Sequence, residues 1–168
     1  MSSPTPRPTA RVILATPDDR ILLFRFSPPD PWPQTPAWHL PGGAVQPGES
    51  LAEAAAREAR EETGHAVTTA DLGDAVAVNE GEWSIEGHRY YTVHTYFFAR
   101  VPSPSLDISA MEPEESDSWL GYWWWSVAEL MATTERVFPP GLATVLPGVL
   151  SGARPGAPVR LAWTHVQP

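Results

Sequence analysis

Residues 49–64, ESLAEAAAREAREETG, are the segment whose structure the sequence constrains most strongly. Ser50 and Glu53 have the spacing of a capping box, which predicts that a helix begins directly after Ser50. Alanines fill the interior of the segment, and Gly64 stands where a left-handed C-terminal cap is expected. The sequence therefore predicts one well-defined helix that ends at Gly64.

The segments before this helix have the composition of strands and loops. RVILATPDDRILLFRF contains two apolar runs around TPDD, whose Pro and Asp residues favour a turn, so it predicts a hairpin. SPPDPWPQTPAW follows as a proline-dense loop, because proline lacks the donor that a helix interior or a central strand needs.

The segments after the helix complete an alternating pattern. DAVAVNE and HRYYTVHTYFFARV predict strands, with GEWSIEG between them as a loop or a short edge strand. A short helix is expected to open at Ser126, LATVLPGVL is weakly helical and interrupted by a proline, and GAPVRLAWTHVQP is a candidate last strand. This order predicts an α/β fold, a mixed sheet with helices on both faces.

Length and composition indicate a single domain. With 168 residues, 42% of them apolar, the chain can bury one ordinary core, which we assign to residues 10–168. Residues 1–9 are mostly Pro, Ser and Thr with little to bury, so they predict a disordered N-terminal arm. The N-terminus lacks the apolar region of a signal peptide and no apolar run is long enough to span a bilayer, so we expect a cytoplasmic protein without membrane contact.

The charge and the residue types restrict the chemistry. The formal charge is -9 and all eleven basic residues are arginine, which argues against duplex nucleic acid as a partner because binding it needs a basic surface. A small phosphorylated ligand is compatible, since a bound cation neutralises its charge locally. The absence of cysteine excludes disulfides and a thiolate nucleophile, and the five histidines show no metal-ligand spacing.

Three glutamates lie on the helix face that begins as core. At about 100° per residue, the apolar stripe that starts with Leu51 and Ala54 continues into Glu58, Glu61 and Glu62. Carboxylates three and four residues apart repel each other, and burying them costs several kcal/mol for each ion unless something compensates. Either the helix emerges into solvent here or a divalent cation, which prefers carboxylate ligands, neutralises the cluster.

The residues before the cluster favour the cation. GGAVQPGESLAEAAAREAREETG resembles the signature of the Nudix hydrolase family, with eight specified positions at fixed spacing. Those positions are Gly43, Glu49, Arg57, Glu58, Ala59, Glu61, Glu62 and Gly64. The match departs once, at His65, which stands where the family has an apolar residue, and this puts local packing rather than chemistry in question. WHLPGG before the box and YWWWSVAEL near the end also resemble the family.

The resemblance implies both a fold and an activity. The fold is an α/β/α sandwich around a mixed β-sheet, and the activity is hydrolysis of nucleoside diphosphates linked to a variable group, with Mg²⁺ or Mn²⁺. Glu58, Glu61 and Glu62 are then the metal ligands and catalytic carboxylates, and the carbonyl of Gly43 completes part of the metal shell. Arg57 in the family pairs with carboxylates of the box; the alternative is an exposed pair with Glu53, one helical turn away.

Further candidates come from outside the box. The family often takes another metal ligand from a distant loop, for which we favour Glu115 or Glu112, although most carboxylates in acidic loops are simply solvated. The rival loop carboxylates are Glu80, Glu82, Glu86 and Glu114. Trp32, in the proline-rich loop, is the favoured contact for a base. In the run WWW at 123–125, alternate side chains of a strand face opposite ways, which predicts at least one partly exposed tryptophan.

The substrate and the assembly are less constrained. Some subfamilies carry a Pro or Tyr about fifteen residues beyond the last glycine of the box, where this chain has Asn79 and Glu80, so we expect a nucleoside triphosphate or a related nucleotide derivative. The alternative is a binding module that senses a nucleotide without cleaving it. A non-hydrolytic isomerase on this scaffold typically needs a reactive cysteine, which the chain lacks. VRLAWTHV is a candidate strand for pairing with a second copy in a homodimer.

Overall fold

The computed structural model describes residues 3–27, 35–85, 87–111 and 118–163, and within these residues all the strands belong to one sheet. The strands are β1 Thr5–Pro6, β2 Thr9–Ala15, β3 Ile21–Phe26, β4 Ala37–His39, β5 Gly42–Ala44, β6 Ala77–Ile85, β7 His88–Arg100, β8 Trp119–Trp125, β9 Arg136–Phe138 and β10 Val159–Arg160. The helices are α1 Leu51–Thr63, α2 Thr69–Leu72, α3 Val127–Ala132 and α4 Leu142–Leu150.

The sheet is mixed, as the sequence predicts. Its order is β10-β6-β7-β2-β3-β4-β9, while β1 pairs with β7, β5 with β2 and β8 with β3. The long strands β2 and β7 run parallel from the pair Thr9 and His94 to the pair Ala15 and Arg100, whereas β6 and β7 are antiparallel. At the end of β2 that begins with Thr9, the strands therefore lie in the order β5, β2, β7, β6 and β10.

Both faces of the sheet are covered by helices. Val12 and Leu14 of β2 point to one face, where they pack in a core with Ala55 and Ala59 of α1. Ile13, between them, points to the other face, whose core includes α3 and α4. The alternation along β2 follows from the two-residue period of a strand, and it confirms the α/β fold with helices on both faces.

Most of the local predictions are confirmed. Ser50 and Glu53 form both bonds of the capping box, and Gly64 ends α1 in the left-handed conformation with φ 75°. β2 and β3 form the predicted hairpin around TPDD, and Ser126 caps α3. GEWSI is not a loop: it is the second half of β6 and pairs along β7. LATVLPGVL forms α4 in spite of its internal proline.

The prediction of a disordered arm over residues 1–9 is wrong for residues 3–9. Thr5 and Pro6 form β1, which pairs with Tyr90 and Tyr91, and β2 already begins at Thr9. The backbone N–H of Arg7 donates to the carbonyl of Tyr91 at 2.8 Å, and its guanidinium lies 5.4 Å from the ring centre of Trp83. Backbone pairing and a cation–π contact thus order a segment that has little apolar surface of its own.

The run of tryptophans on β8 behaves as the strand period predicts. Trp124 packs in the core beside α1, and Trp125 packs in the core on the opposite face. Trp123 is 54% exposed, so the expected partly exposed tryptophan is found at this position.

The C-terminal segment pairs within its own chain. β10 runs parallel to β6, with Val159 opposite Ala77 and Arg160 opposite Val78. This pairing uses residues that the sequence analysis offered to a second copy, so it removes the stated reason for expecting a homodimer. Among the described residues, no helix is both long and apolar enough to cross a membrane.

Candidate functional site

Helix α1 buries two of its glutamates, Glu58 and Glu62, against β5 rather than exposing them to solvent. Glu58 is 8% exposed and Glu62 is 3% exposed, while Glu61 is partly exposed. Leu51, at the start of the predicted buried stripe, is itself 38% exposed, because it lies in the first turn, at the end of the packed face. The solvent explanation therefore does not hold for Glu58 and Glu62, whose burial needs compensation from the chain or from a bound ion.

Glu62 is held by strand β5, which precedes the helix. Its Oε2 accepts a hydrogen bond of 2.7 Å from the backbone N–H of Gly42. Gly42 has φ +130°, and a Cβ at this position would lie 2.3 Å from the carbonyl oxygen of Ala10. Only glycine tolerates both constraints, so this residue lets the backbone reach the buried carboxylate.

Gly43 serves a similar purpose for Glu58. A Cβ at Gly43 would lie 2.5 Å from Oε1 of Glu58, so the absence of a side chain lets the carboxylate lie against the backbone of β5. Burial raises the pKa of Glu58, and the hydrogen bond from Arg57 opposes part of that rise. The family resemblance implies that Gly43 and Glu58 are partners at one metal site, and the fold brings them into contact.

Arg57 is the centre of a hydrogen-bond network. Its Nε and Nη2 donate to the two carboxylate oxygens of Glu49 at 2.8 and 3.1 Å, and Nη2 also donates to the carbonyl of Ala44 at 3.1 Å. Its Nη1 donates to Glu58 at 2.8 Å and to Glu61 at 3.0 Å. The fork to Glu49 is the bidentate arrangement that arginine makes best, and it ties α1 to the loop before it.

The electrostatics agree with this network. The hydrogen bonds from Arg57 lower the pKa of Glu49, and the bonds to Glu49 and Glu58 raise the pKa of Arg57 in spite of partial burial. The alternative of an exposed pair between Arg57 and Glu53 is wrong, because the Glu53 carboxylate accepts from the N–H of Ser50 in the capping box.

The carboxylates are close neighbours, but they are not arranged around one point. Glu58 and Glu61 bind the same nitrogen of Arg57, whereas Glu62 binds Gly42. Within the described ranges, no group of three His, Asp or Glu side chains is positioned to hold a metal ion. The donor set itself, carboxylate oxygens beside glycine backbone, suits a hard divalent cation such as Mg²⁺ or Mn²⁺. The residues therefore fit such an ion by their chemistry, with a change of side-chain orientation.

Sequence reasoning missed Arg11. This residue lies on β2, and its Nη1 donates to the carbonyl oxygens of Leu40 at 2.8 Å and Gly42 at 3.0 Å. Arg11 thus fixes the backbone at Gly42, and the N–H of Gly42 in turn holds Glu62. The available signal was a lone arginine in an otherwise apolar strand, since such a charge needs a specific partner.

A second polar cluster lies on the opposite face of the sheet from α1. The Thr9 hydroxyl is hydrogen-bonded to Nδ1 of His94. His39 lies apart from this pair, because it is opposite Phe24 on the α1 face, where its ring stacks on Phe138 with centres 5.1 Å apart. Burial, and then the nearby charge of Arg11, lowers the pKa of both histidines to about 3. The two rings are therefore neutral near pH 7. The five histidines are scattered along the sequence, and the parallel pairing of β2 with β7 is what brings His94 beside Thr9.

The remaining residues proposed for the site either lie outside the described residues or pair on other strands of the sheet. Trp32, Glu112 and Glu115 lie outside the described residues, as do Glu86 and Glu114. Glu80 pairs with Arg160 and accepts from Tyr91, and Glu82 pairs with Arg89, so both serve the outer strands of the sheet.

Comparison with known proteins identifies the shared features. The family model of the NUDIX domain matches residues 5–145. An RNA pyrophosphohydrolase of Erythrobacter litoralis (strain HTCC2594) is 35% identical over 96 residues, which cover 49% of this chain and 57% of that protein. A putative 8-oxo-dGTP diphosphatase of Bacillus subtilis (strain 168) is 45% identical over 65 residues, 38% of this chain and 40% of that protein. The chain thus spans about half the length of these curated relatives.

Solved structures agree on the fold. The MutT protein from Methanosarcina mazei Go1 superposes with a TM-score of 0.61 at 20% identity, covering 90% of this chain and 98% of that one. The NUDIX domain of Shewanella oneidensis NrtR, solved with ADP ribose, gives a TM-score of 0.61 at 18% identity, covering 89% and 90%. At these identities the likeness concerns the fold alone.

Proposed function

Because the chain belongs to the NUDIX family, we propose that it is a divalent-metal-dependent hydrolase that cleaves a phosphoanhydride bond in a nucleotide. The observation that carries the proposal is the pair of buried carboxylates, Glu58 and Glu62, held beside the glycine backbone of residues 42 and 43. Such a pair is costly without a cation, and all the acidic residues of the signature are present.

The chain's own residues divide the work at this site. Glu58, Glu61 and Glu62 would hold Mg²⁺ or Mn²⁺, with the carbonyl of Gly43 as a further oxygen ligand. The bound ion supplies charge neutralisation at the phosphate oxygens and lowers the pKa of an attacking water. One of the three glutamates accepts the proton of that water, for which it must be ionised and within hydrogen-bond distance.

Arg57 keeps this arrangement in place without contacting the reacting atoms. Its fork to Glu49 fixes the helix to the preceding loop, while Nη1 orients Glu58 and Glu61. Arg11 performs the same task from the other side, because it holds the carbonyl of Gly42 while the N–H of Gly42 holds Glu62. Both arginines are positioning residues in this proposal.

We propose a nucleoside triphosphate or a related nucleotide derivative as the substrate. One curated relative, the putative 8-oxo-dGTP diphosphatase, is named for a nucleoside triphosphate and supports this class. The other is named for RNA and supports only the cleavage of a phosphoanhydride bond. The charge of -9 disfavours a long nucleic acid, since its phosphates require a basic surface. We place the activity in one domain, which includes the paired residues 3–9 in addition to the predicted range 10–168.

The test is a product analysis on the purified chain. Protein with Mg²⁺ or Mn²⁺ is incubated with nucleoside triphosphates, nucleotide sugars, ADP-ribose, dinucleoside polyphosphates and an RNA carrying a 5′-triphosphate, and products are identified by mass. We expect cleavage inside the phosphate chain of a small nucleotide, abolished by EDTA. Saturable nucleotide binding with no product after hours would instead identify a binding module, and cleavage of the RNA alone would contradict the substrate class.

A further inference from the structure

The C-terminal segment lies beyond the family match, yet it is built into the sheet. The match ends at residue 145, whereas residues 159–163 run along β6. Leu161 donates its N–H to Val78 at 2.9 Å, and the carbonyl of Ala162 accepts from the side chain of Asn79 at 3.1 Å. Asn79 is 5% exposed, so a buried amide is committed to holding this segment.

Gly81 of β6 leaves room for the indole of Trp163 against the strand backbone. A Cβ at Gly81 would lie 2.3 to 2.4 Å from atoms of the indole, so the ring lies directly on the glycine backbone. Glycine within a strand is otherwise unfavourable, and it marks places where another group approaches the backbone closely. The indole Nε1 has no acceptor among the described residues, so ring contacts rather than a hydrogen bond hold the side chain.

The indole extends the polar cluster on the face opposite α1. Its ring centre is 5.5 Å from that of His94, with 21° between the planes. One face of the indole covers Gly81 and Nε1 is buried, while the residue as a whole keeps part of its surface accessible. The result is an aromatic surface nearly parallel to the neutral imidazole of His94.

This surface lies within reach of a nucleotide bound at the carboxylates. His94 pairs with Thr9 across β7 and β2, and Thr9 pairs with Ala44 of β5, next to Gly43. Two strand spacings, or about 10 Å, separate the row of His94 from β5, and the indole lies one strand further, over Gly81 of β6.

Arg11 lies on the same face of β2 as Thr9 and donates to the carbonyl of Gly42, whose N–H binds Glu62. A nucleotide that passes this arginine would have its phosphates beside Gly43 and its base at the indole, on the opposite face of the sheet.

Resting on the proposed function, we propose that Trp163 is a specificity-determining residue, whose indole is the surface on which the nucleobase stacks. Aromatic side chains bind bases through their ring faces with little dependence on base identity. The segment 159–163 then selects nucleotides over phosphate chains that carry no base.

The test compares Trp163→Ala and Trp163→Phe with the wild type, and uses Trp123→Ala as a matched control on an exposed tryptophan. Loss of stacking predicts a roughly 10-fold rise in KM for a nucleoside triphosphate, with kcat nearly unchanged. Trp163→Phe keeps the ring contact and restores most of the affinity. Turnover of inorganic tripolyphosphate, which has no base, is expected to be unaffected. Gly81→Ala places a methyl group where the indole lies, so it should displace the ring and reproduce the effect of Trp163→Ala.

Several outcomes would overturn the inference. An unchanged KM in a folded Trp163→Ala variant would make the residue structural, and a lower KM would show that the segment covers the site instead of serving it. If the wild type cleaves nothing, the proposed hydrolysis fails, and calorimetric titration of the same variants with a non-hydrolysable triphosphate still tests the stacking. Equal affinity of wild type and Trp163→Ala, or binding by neither, would refute it.

Discussion

Replacing Arg57 with glutamine should destabilise the protein far more than its partial exposure suggests. The side chain is 19% exposed, and its removal leaves Glu58 and Glu49, whose side chains are 11% and 15% exposed, without their positive partner. Breaking a buried pair costs about 3–5 kcal/mol. Since solvent reaches this one in part, we expect a loss of roughly 2–4 kcal/mol in the free energy of unfolding.

The assay is thermal or urea unfolding near pH 7 in EDTA. For a chain of this length the loss corresponds to a fall of roughly 5–15 °C in Tm. Arg60→Gln is the matched control, because Arg60 is exposed on the same helix and its removal should cost less than about 0.5 kcal/mol.

Two conditions should reduce the loss in Arg57→Gln. Added Mg²⁺ supplies a replacement positive charge to Glu58. Acid does the same by protonation, since burial already raises the pKa of Glu58. Equal effects of Arg57→Gln and Arg60→Gln in EDTA would refute the role of Arg57 as the partner of buried carboxylates.

Two further perturbations test the glycine contact and the buried histidines. Gly43→Ala places a Cβ 2.5 Å from Oε1 of Glu58, so turnover should fall by at least about 10-fold while the fold persists; Gly148→Ala, which meets no atom within 4 Å, should leave it unchanged. His39 and His94 have a folded pKa of about 3, so the unfolded chain binds more protons below about pH 6.5. Stability should fall as pH drops from about 6.5 to about 5, by at most ~1.4 kcal/mol per unit for each ring. His94→Asn should flatten that slope in urea unfolding; an unaltered slope would mean that the ring is not held neutral.

Local chemistry made helix α1 predictable. Its capping box, its alanines and its terminal glycine each act over a few residues, so the sequence alone located α1 and the placement of Glu58 and Glu62 on its inner face. The pairing of Arg57 with carboxylates was implied by the family resemblance instead, and its partner Glu49 lies in the turn before that helix.

The second polar cluster was not predictable, because it depends on pairing between distant strands. Thr9 and His94 are separated by 85 positions and meet only because β2 and β7 run parallel. The same limit explains why residues 3–9 were predicted to be disordered and why the contact of Trp163 with β6 was not predicted. Their order comes from backbone edges supplied by β7 and β6, which composition does not reveal.

The most direct test of the central claim is the kcat of Glu62→Gln with Mg²⁺ on the substrate found in the product analysis. The amide oxygen of glutamine can still accept from the N–H of Gly42, so the contact that fixes the helix to β5 is kept. The loss of one negative oxygen ligand should nevertheless lower kcat by about 100-fold or more while the circular dichroism spectrum stays unchanged. A variant that turns over at the wild-type rate would contradict the assignment of the buried carboxylates to metal-dependent hydrolysis.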